Sequence, residues 1–233
     1  MSATLGHPRV HHAVTGSTSV DARELAAAGA PHGTLVTAAE QLAGRGRHGR
    51  HWHAPAGQAL LCSLVLRDPQ PLLPIAAGVA VAELVGPQAQ LKWPNDVLVS
   101  WRKVSGVLVE GRPQEGWAVL GIGINVALDP EALPDDLSRN AGTLGLASTE
   151  IEPTLARLLV ALERWLAAPG DEVLAAWRER DVLLGAAVDW RDGGGVGAGI
   201  DERGHLIVRL ADGSLQTLDA GEIRLMPSRG PFR

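Results

Sequence analysis

The chain has 233 residues and a net charge of −5, with 45% hydrophobic and 20% charged residues. That length carries one large domain, or one with a small appendage, and holds ample material for a core. The acidic balance excludes a general nucleic-acid binder, so any basic site has to be local. The single cysteine, Cys62, excludes an internal disulfide and points to a reducing compartment. The N-terminal stretch has no apolar signal core, and no uncharged apolar run approaches the ~20 residues that span a bilayer. The chain is therefore expected in the cytoplasm, with no membrane partner.

Ser19, Val20 and Asp21 open a capped helix that ends at Gly29. Residues 34–40 form a strand that runs into GRGRHGR, residues 44–50. HAPAGQ then turns the chain into a buried strand at 59–66, and residues 75–85 suit a buried helix behind Pro74. Strands follow at 96–100, 103–111 and 116–126, the first two joined as a hairpin through SWRK. Residues 127–150, rich in Pro, Asp and Gly, are expected to loop over one face. Helical periodicity returns at 153–168 and 171–184. From Leu184 onward, short strand-like segments between Gly and Asp turns predict a small all-β barrel of roughly 45 residues. GGGVGAG (193–199) reads as a hairpin loop of that barrel, because no lysine or helix follows it as a phosphate loop requires.

GRGRHGR spells G-x-G-x-x-G after a strand, and Asp68 lies about 20 residues further on, as in a dinucleotide fold. Such a loop must open a helix, however, and Pro55 and Gly57 stand where that helix would run. Arginines also occupy positions where small residues would pack the helix on its sheet. What remains is either a solvated charged turn or an anion nest with bidentate donors. His48, His51 and His53 raise a metal site, which the neighbouring arginines oppose and no nearby acid or thiol supports. In KWPND (92–96), Pro94 interrupts regular pairing and leaves Asn95 and Asp96 at a bend. Lys103 opens an apolar strand, where a bare ammonium is costly unless it faces a site. In GIGINV (121–126), Asn125 is a polar amide in a buried strand, and Gly121 and Gly123 allow close approach. Taken singly, each of these also reads as structural: a core amide, a solvated lysine.

Taken together and in order, GSTS (16–19), AEQLAGRGRHGRHW (39–52), KWPND, RKVSGVLVE (102–110) and GIGINV resemble the motifs of the biotin–protein ligases. The resemblance runs from about residue 14 to the C-terminus. It implies an α/β (α+β) fold: a mixed β-sheet flanked by helices as catalytic core over 1–183, and a small SH3-like β-barrel over 184–233. It further implies ATP-dependent, Mg²⁺-assisted activation of biotin to biotinyl-5′-AMP, then transfer to a lysine of a biotin carboxyl carrier domain.

Carried over residue by residue, biotin would meet Ser17, Thr18, Ser19, Gln41, Gly44, Arg45, Gly46, Arg47, Lys103, Gly106 and Leu108. ATP would meet Arg45, Arg47, Arg50, Lys92, Asn95 and Asn125, with Trp52 stacked on adenine. Arg47, Lys103 and Asp96 would be catalytic, Asp96 also contacting Mg²⁺. Ser19 replaces the motif's usual Asn, and His48 a frequent arginine. The arginine loop is expected to be open or disordered until ligand closes it. Sixteen residues precede Ser17, fewer than the ~40 a small domain needs, so the DNA-binding domain of repressor members is not expected. A monomer and a homodimer both fit. The rivals are a lipoate or octanoate ligase or transferase of the same fold, and a non-catalytic biotin sensor. Cys62, inside LLCSLVL, is expected in the core rather than as an acyl-carrying nucleophile.

Overall fold

A computed structural model of the chain describes residues 5–225. Its larger sheet contains β1 (Arg9–Thr15), β2 (Leu35–Gln41), β3 (Ala59–Arg67), β4 (Gln90–Lys92), β5 (Asp96–Val99), β6 (Arg102–Arg112) and β7 (Trp117–Asn125). The strand order is β1-β2-β3-β7-β6-β5-β4. β1 and β2 run parallel while the other neighbours pair antiparallel, so the sheet is mixed as expected. The helices are α1 (Thr18–Ala27), α2 (Leu73–Val85), the single turn α3 (Asp135–Ser138), α4 (Ile151–Ala167) and α5 (Gly170–Arg178).

Alternation along the central strands decides what each face does. In β7, Ala118, Leu120, Ile122 and Ile124 enter a large core shared with α2, α4 and α5. On the opposite face Trp117 and Val119 pack under Ala22 and Ala26 of α1. Gly121 and Gly123 continue that second face without side chains, so it runs from packed to bare. The α2 side is close-packed because α2 is built from small residues. A Cβ at Gly78 would lie 2.9 Å from the buried Trp177 ring. At its other end α1 is closed by Arg67, whose guanidinium donates to the carbonyls of Ala26 (2.8 Å) and Ala30 (3.0 Å), a cation at a helix C-terminus.

The C-terminal part forms a separate antiparallel sheet of β8 (Ala187–Trp190), β9 (Gly193–Ile200), β10 (Leu206–Arg209), β11 (Leu215–Leu218) and β12 (Arg224–Leu225), in the order β11-β10-β9-β8-β12. The segment that leads into it from α5 is held to the larger sheet by backbone bonds from Leu91 to Arg180 and from Val182 to Leu91 (2.7 and 3.0 Å). The Trp93 Nε1–H also donates to the Gly204 carbonyl at 2.9 Å.

Several sequence expectations need correction. GGGVGAG is not a hairpin loop but the body of β9. Its glycines are there because a Cβ at Gly195 would collide with the Arg209 carbonyl, 2.5 Å away. The first helix begins at Thr18, with Ser17 rather than Ser19 at its cap. The last helix ends at Arg178, not 184, because residues 181–182 leave it to bridge Leu91. The strand expected at EIRLM is shortened to β12, and Met226 lies outside the described residues. β1 and β4 were not anticipated. Among the described residues no helix is long and apolar enough to cross a membrane.

Cys62 lies in the main core, and burial pushes its thiol up to about 12. Ionisation is therefore harder in the folded chain than in the unfolded one. The associated stability is complete below the unfolded value of about 8.5 and is lost as pH rises toward 12, at up to ~1.4 kcal/mol per pH unit. In urea unfolding between pH 8 and 10, the wild type should lose stability more steeply than Cys62→Ala. An aromatic disulfide reagent should label Cys62 only on unfolding.

Candidate functional site

On the α1 face lies a cavity of about 690 Å³. Its floor is the bare patch of the sheet, where Gly106 pairs with Gly123 and Leu108 with Gly121 across β6 and β7. A Cβ at Gly121 would stand 2.7 Å from Ser19 Oγ, and one at Gly123 would stand 2.6–2.9 Å from the Trp52 indole. The start of α1 and the ring of Trp52 thus rest directly on strand backbone.

One end of the cavity is a network of hydroxyls and an amide. The Thr18 N–H and Oγ1 both donate to Gln41 Oε1, at 2.8 and 3.0 Å. Thr18 Oγ1 and Ser19 Oγ lie 2.8 and 3.2 Å from the buried hydroxyl of Ser63. Ser63 was not anticipated, although a serine inside the apolar run LLCSLVL was a visible signal. Ser17 and Gly44, both expected to hold biotin, do not line the cavity. Ser17 Oγ is buried behind it without a partner, and the Gly44 carbonyl accepts from the Trp52 N–H at 2.9 Å.

The other end collects cations. Instead of being open, the arginine loop is folded on itself. Arg45 bridges His51, the Gly46 N–H donates to Arg50 O at 2.8 Å, and His48 turns the chain at φ 54°. Each side of the loop is tethered by a carboxylate that sequence reading missed. Glu110 holds Arg45 at 3.1 Å, with Arg23 at 3.8 Å, and Glu222 of the C-terminal segment holds Arg50. Arg45 is thus engaged below the loop, whereas Arg47 makes no salt bridge among the described residues. Burial lowers the pKa of Arg47, with Asp96 opposing. Burial likewise lowers that of Lys92, again opposed chiefly by Asp96.

Lys103 Nζ pairs with Asp96 Oδ1 at 2.5 Å and lies 5.5 Å from the centroid of a Trp52 ring. The expected adenine contact, Trp52, therefore has part of its surface engaged by Gly106, Gly123 and Lys103. Asn95 lines the cavity while clamping the KWPND turn to β6, through Nδ2 to Val107 O at 2.8 Å and Val107 N to its own carbonyl at 2.9 Å. Asn125 Nδ2 donates to Gly142 O at 2.8 Å, which leaves Asn125 Oδ1 buried and without a donor. Residues 127–150 do cross this face. Lys103 fastens them, its N–H donating to Asn140 O (2.7 Å) and its carbonyl accepting from Gly142 N–H (2.8 Å). Among the described residues, no group of three or more His, Cys, Asp or Glu is placed to hold a metal ion. The arrangement can therefore grip anions with arginine and lysine while presenting polar acceptors to a neutral, hydrogen-bonding ligand.

Residues 13–127 match the Biotin/lipoate A/B protein ligase family, and residues 194–226 match the Biotin protein ligase C terminal domain. The biotin–[acetyl-CoA-carboxylase] ligase of Mycobacterium tuberculosis is 34% identical over 234 residues, covering 91% of this chain and 86% of the relative. The chain belongs to the biotin/lipoate protein ligase family. The bifunctional ligase/repressor BirA of Bacillus subtilis is 41% identical over 158 residues, or 63% of this chain and 49% of that protein, so the chain spans about half of that relative's length. Among solved structures, the Aquifex aeolicus biotin protein ligase in complex with biotin and ATP superposes with a TM-score of 0.76 at 27% identity. That match covers 95% of this chain and 100% of the other.

The glycine floor gives this family member a specific vulnerability. Gly123→Ala drives a methyl into the Trp52 ring, and overpacking of this kind costs about 1–3 kcal/mol. Thermal unfolding should show that loss, and Gly123→Ala combined with Trp52→Leu should recover most of it. A single Gly123→Ala variant as stable as the wild type would mean that Trp52 does not rest on the floor.

Proposed function

We propose that the chain is a biotin–protein ligase, joining biotin to ATP as biotinyl-5′-AMP and passing biotin to a lysine of a biotin carboxyl carrier domain. The carrying observation is the polarity of one cavity, with Thr18, Ser19 and Gln41, backed by the buried Ser63, at one end and Arg47, Lys92 and Lys103 at the other. A ureido ring offers N–H and C=O groups to the first end, and a carboxylate with phosphates meets the second. The relatives named above support the same reading.

In the first step a biotin carboxylate oxygen attacks the α-phosphorus of ATP and pyrophosphate leaves. Two anions have to meet, so the barrier is largely electrostatic and positioned cations lower it. Arg47, which makes no salt bridge among the described residues, and Lys103 bridge carboxylate and α-phosphate. Thr18, Ser19, Gln41, Gly106 and Leu108 hold the ring end; Arg50, Lys92, Asn95 and the orphan Asn125 Oδ1 serve the nucleotide, with Trp52 as a wall between the two. Gly46 leaves the loop backbone free to approach. Asp96 would be the carboxylate beside a Mg²⁺ ion brought in with ATP, and that ion would supply charge neutralisation to the phosphates. In the second step the acceptor amine attacks the mixed anhydride and AMP leaves. Asp96, released from Lys103 by the arriving phosphate, accepts the amine's proton.

The deeply buried Cys62 thiol argues against the acyl-transferase alternative. We assign the catalytic core to 1–183 and read 184–233 as the SH3-like barrel that the resemblance implies. A cytoplasmic location follows from the lone, reduced cysteine.

Biotin-dependent exchange of pyrophosphate into ATP tests the reading, and its absence in the wild type would sink it. Arg47→Ala and Lys103→Ala should each lower the exchange rate at least ~100-fold, the usual cost of a lost transition-state donor. A variant near wild-type rate removes that residue from the site.

A further inference from the structure

The hairpin joining β5 to β6 turns through Ser100 and Trp101, both in the left-handed region at φ 50° and 64°. Turns of this kind favour Asn and Gly at these positions, and a bulky aromatic there is strained. Trp101 is also 63% exposed. The chain therefore bears a left-handed backbone and a largely exposed indole at one residue. Strain combined with exposure at one residue points to a partner that covers it.

The position of Trp101 identifies the partner. It lies two residues from Lys103, roughly 7 Å along the strand at 3.3 Å per residue. The segment that Lys103 fastens by backbone bonds to Asn140 and Gly142 adds exposed Pro134 and Leu137, the latter 38% exposed, and both line the cavity. The mouth thus has an apolar lip of Pro134 and Leu137 beside the cations, and Trp101 stands outside that lining, two residues along the chain from Lys103.

Resting on the ligase reading above, we propose that Trp101, with Leu137, is the docking point for the acceptor polypeptide, covering an apolar side chain close to the acceptor lysine. The amine has to reach the anhydride beside Lys103, and a protein delivering it passes this lip. A second copy of the chain has no comparable reason to sit here.

The test uses the full chain and the purified carrier domain of a bacterial acetyl-CoA carboxylase. Trp101→Gly suits the positive φ and should melt no lower than the wild type. Its biotin-dependent pyrophosphate exchange, and its KM for biotin and ATP, should stay within twofold of wild type, while KM for the carrier domain rises about tenfold with kcat retained. Leu137→Ser should raise the same KM. An unchanged carrier KM with exchange intact overturns the proposal. So does a parallel fall in exchange, which would put Trp101 in the adenylation site. Loss of a sedimenting dimer with carrier KM unchanged also overturns it, assigning the lip to a second copy. Absence of exchange in the wild type is a different result and refutes the ligase reading itself.

Discussion

The cavity exists because two neighbouring strands give up their side chains at one spot. Gly106 faces Gly123, and Leu108 faces Gly121, across the β6–β7 ladder. Over that gap the start of α1 and the Trp52 ring settle onto backbone. The same strands keep their fold because their other face carries Val107, Leu120, Ile122 and Ile124 into a continuous core with the helices. One face of the sheet supplies stability and the other is free to be hollow. Period-two alternation makes this division possible, since a residue on one face can be deleted to hydrogen without touching the other.

Charge completes what the hollow begins. Arg47, Arg50, Lys92 and Lys103 share a wall in which Asp96 pairs with Lys103 and Glu222 with Arg50. Burial lowers the pKa of both Arg47 and Lys92, which is the signature of cations held away from water without full compensation. An arriving anion removes that cost, so this end of the cavity suits carboxylate and phosphate better than a neutral group. The loop uses arginine, whose fork meets two oxygens at once and whose charge survives partial burial. Lysine, a point charge, is kept for the positions beside Asp96.

Much of this was legible in the sequence, for identifiable reasons. β3 and β7 are long apolar runs, β6 centres on Val107, Leu108 and Val109, and α2 and α4 are continuous apolar or strongly amphipathic, so their types followed from the pattern. Pro55 and Gly57 excluded a dinucleotide helix from local chemistry alone, and no helix follows the arginine loop in the structure. The failures share a different cause. β1 is an edge strand with largely exposed residues, so no alternation marks it. The glycines of β9 answer to a neighbouring strand, as Gly195 does to Arg209, and local reading turned them into a loop. Glu222 meets Arg50 only through the tertiary fold, and no spacing rule links the two positions. That Trp52 also rests on the floor glycines was not legible, because a motif names a residue without naming what it rests on.

The C-terminal sheet shows why the recognisable motifs are not the whole site. All of them end by Val126, yet the KWPND turn that carries Asp96 and follows Lys92 is held from both sides. Asn95 bonds to Val107 within the larger sheet, and Trp93 bonds to Gly204 of the smaller one. Gly204 itself fits closely against Ile75, where a Cβ would stand 2.7 Å from the isoleucine side chain. Glu222 and Ile223 then close the cavity wall, and Glu222 fixes the far side of the arginine loop. Charged residues at the reacting end thus take their positions partly from a unit in which sequence reading placed no site residue. Removing that unit would leave every signature intact while freeing Arg50 and loosening the turn beneath Lys92 and Asp96. The smaller sheet therefore belongs to the site through position and charge rather than by supplying chemistry, which is why sequence reading treated it as an appendage.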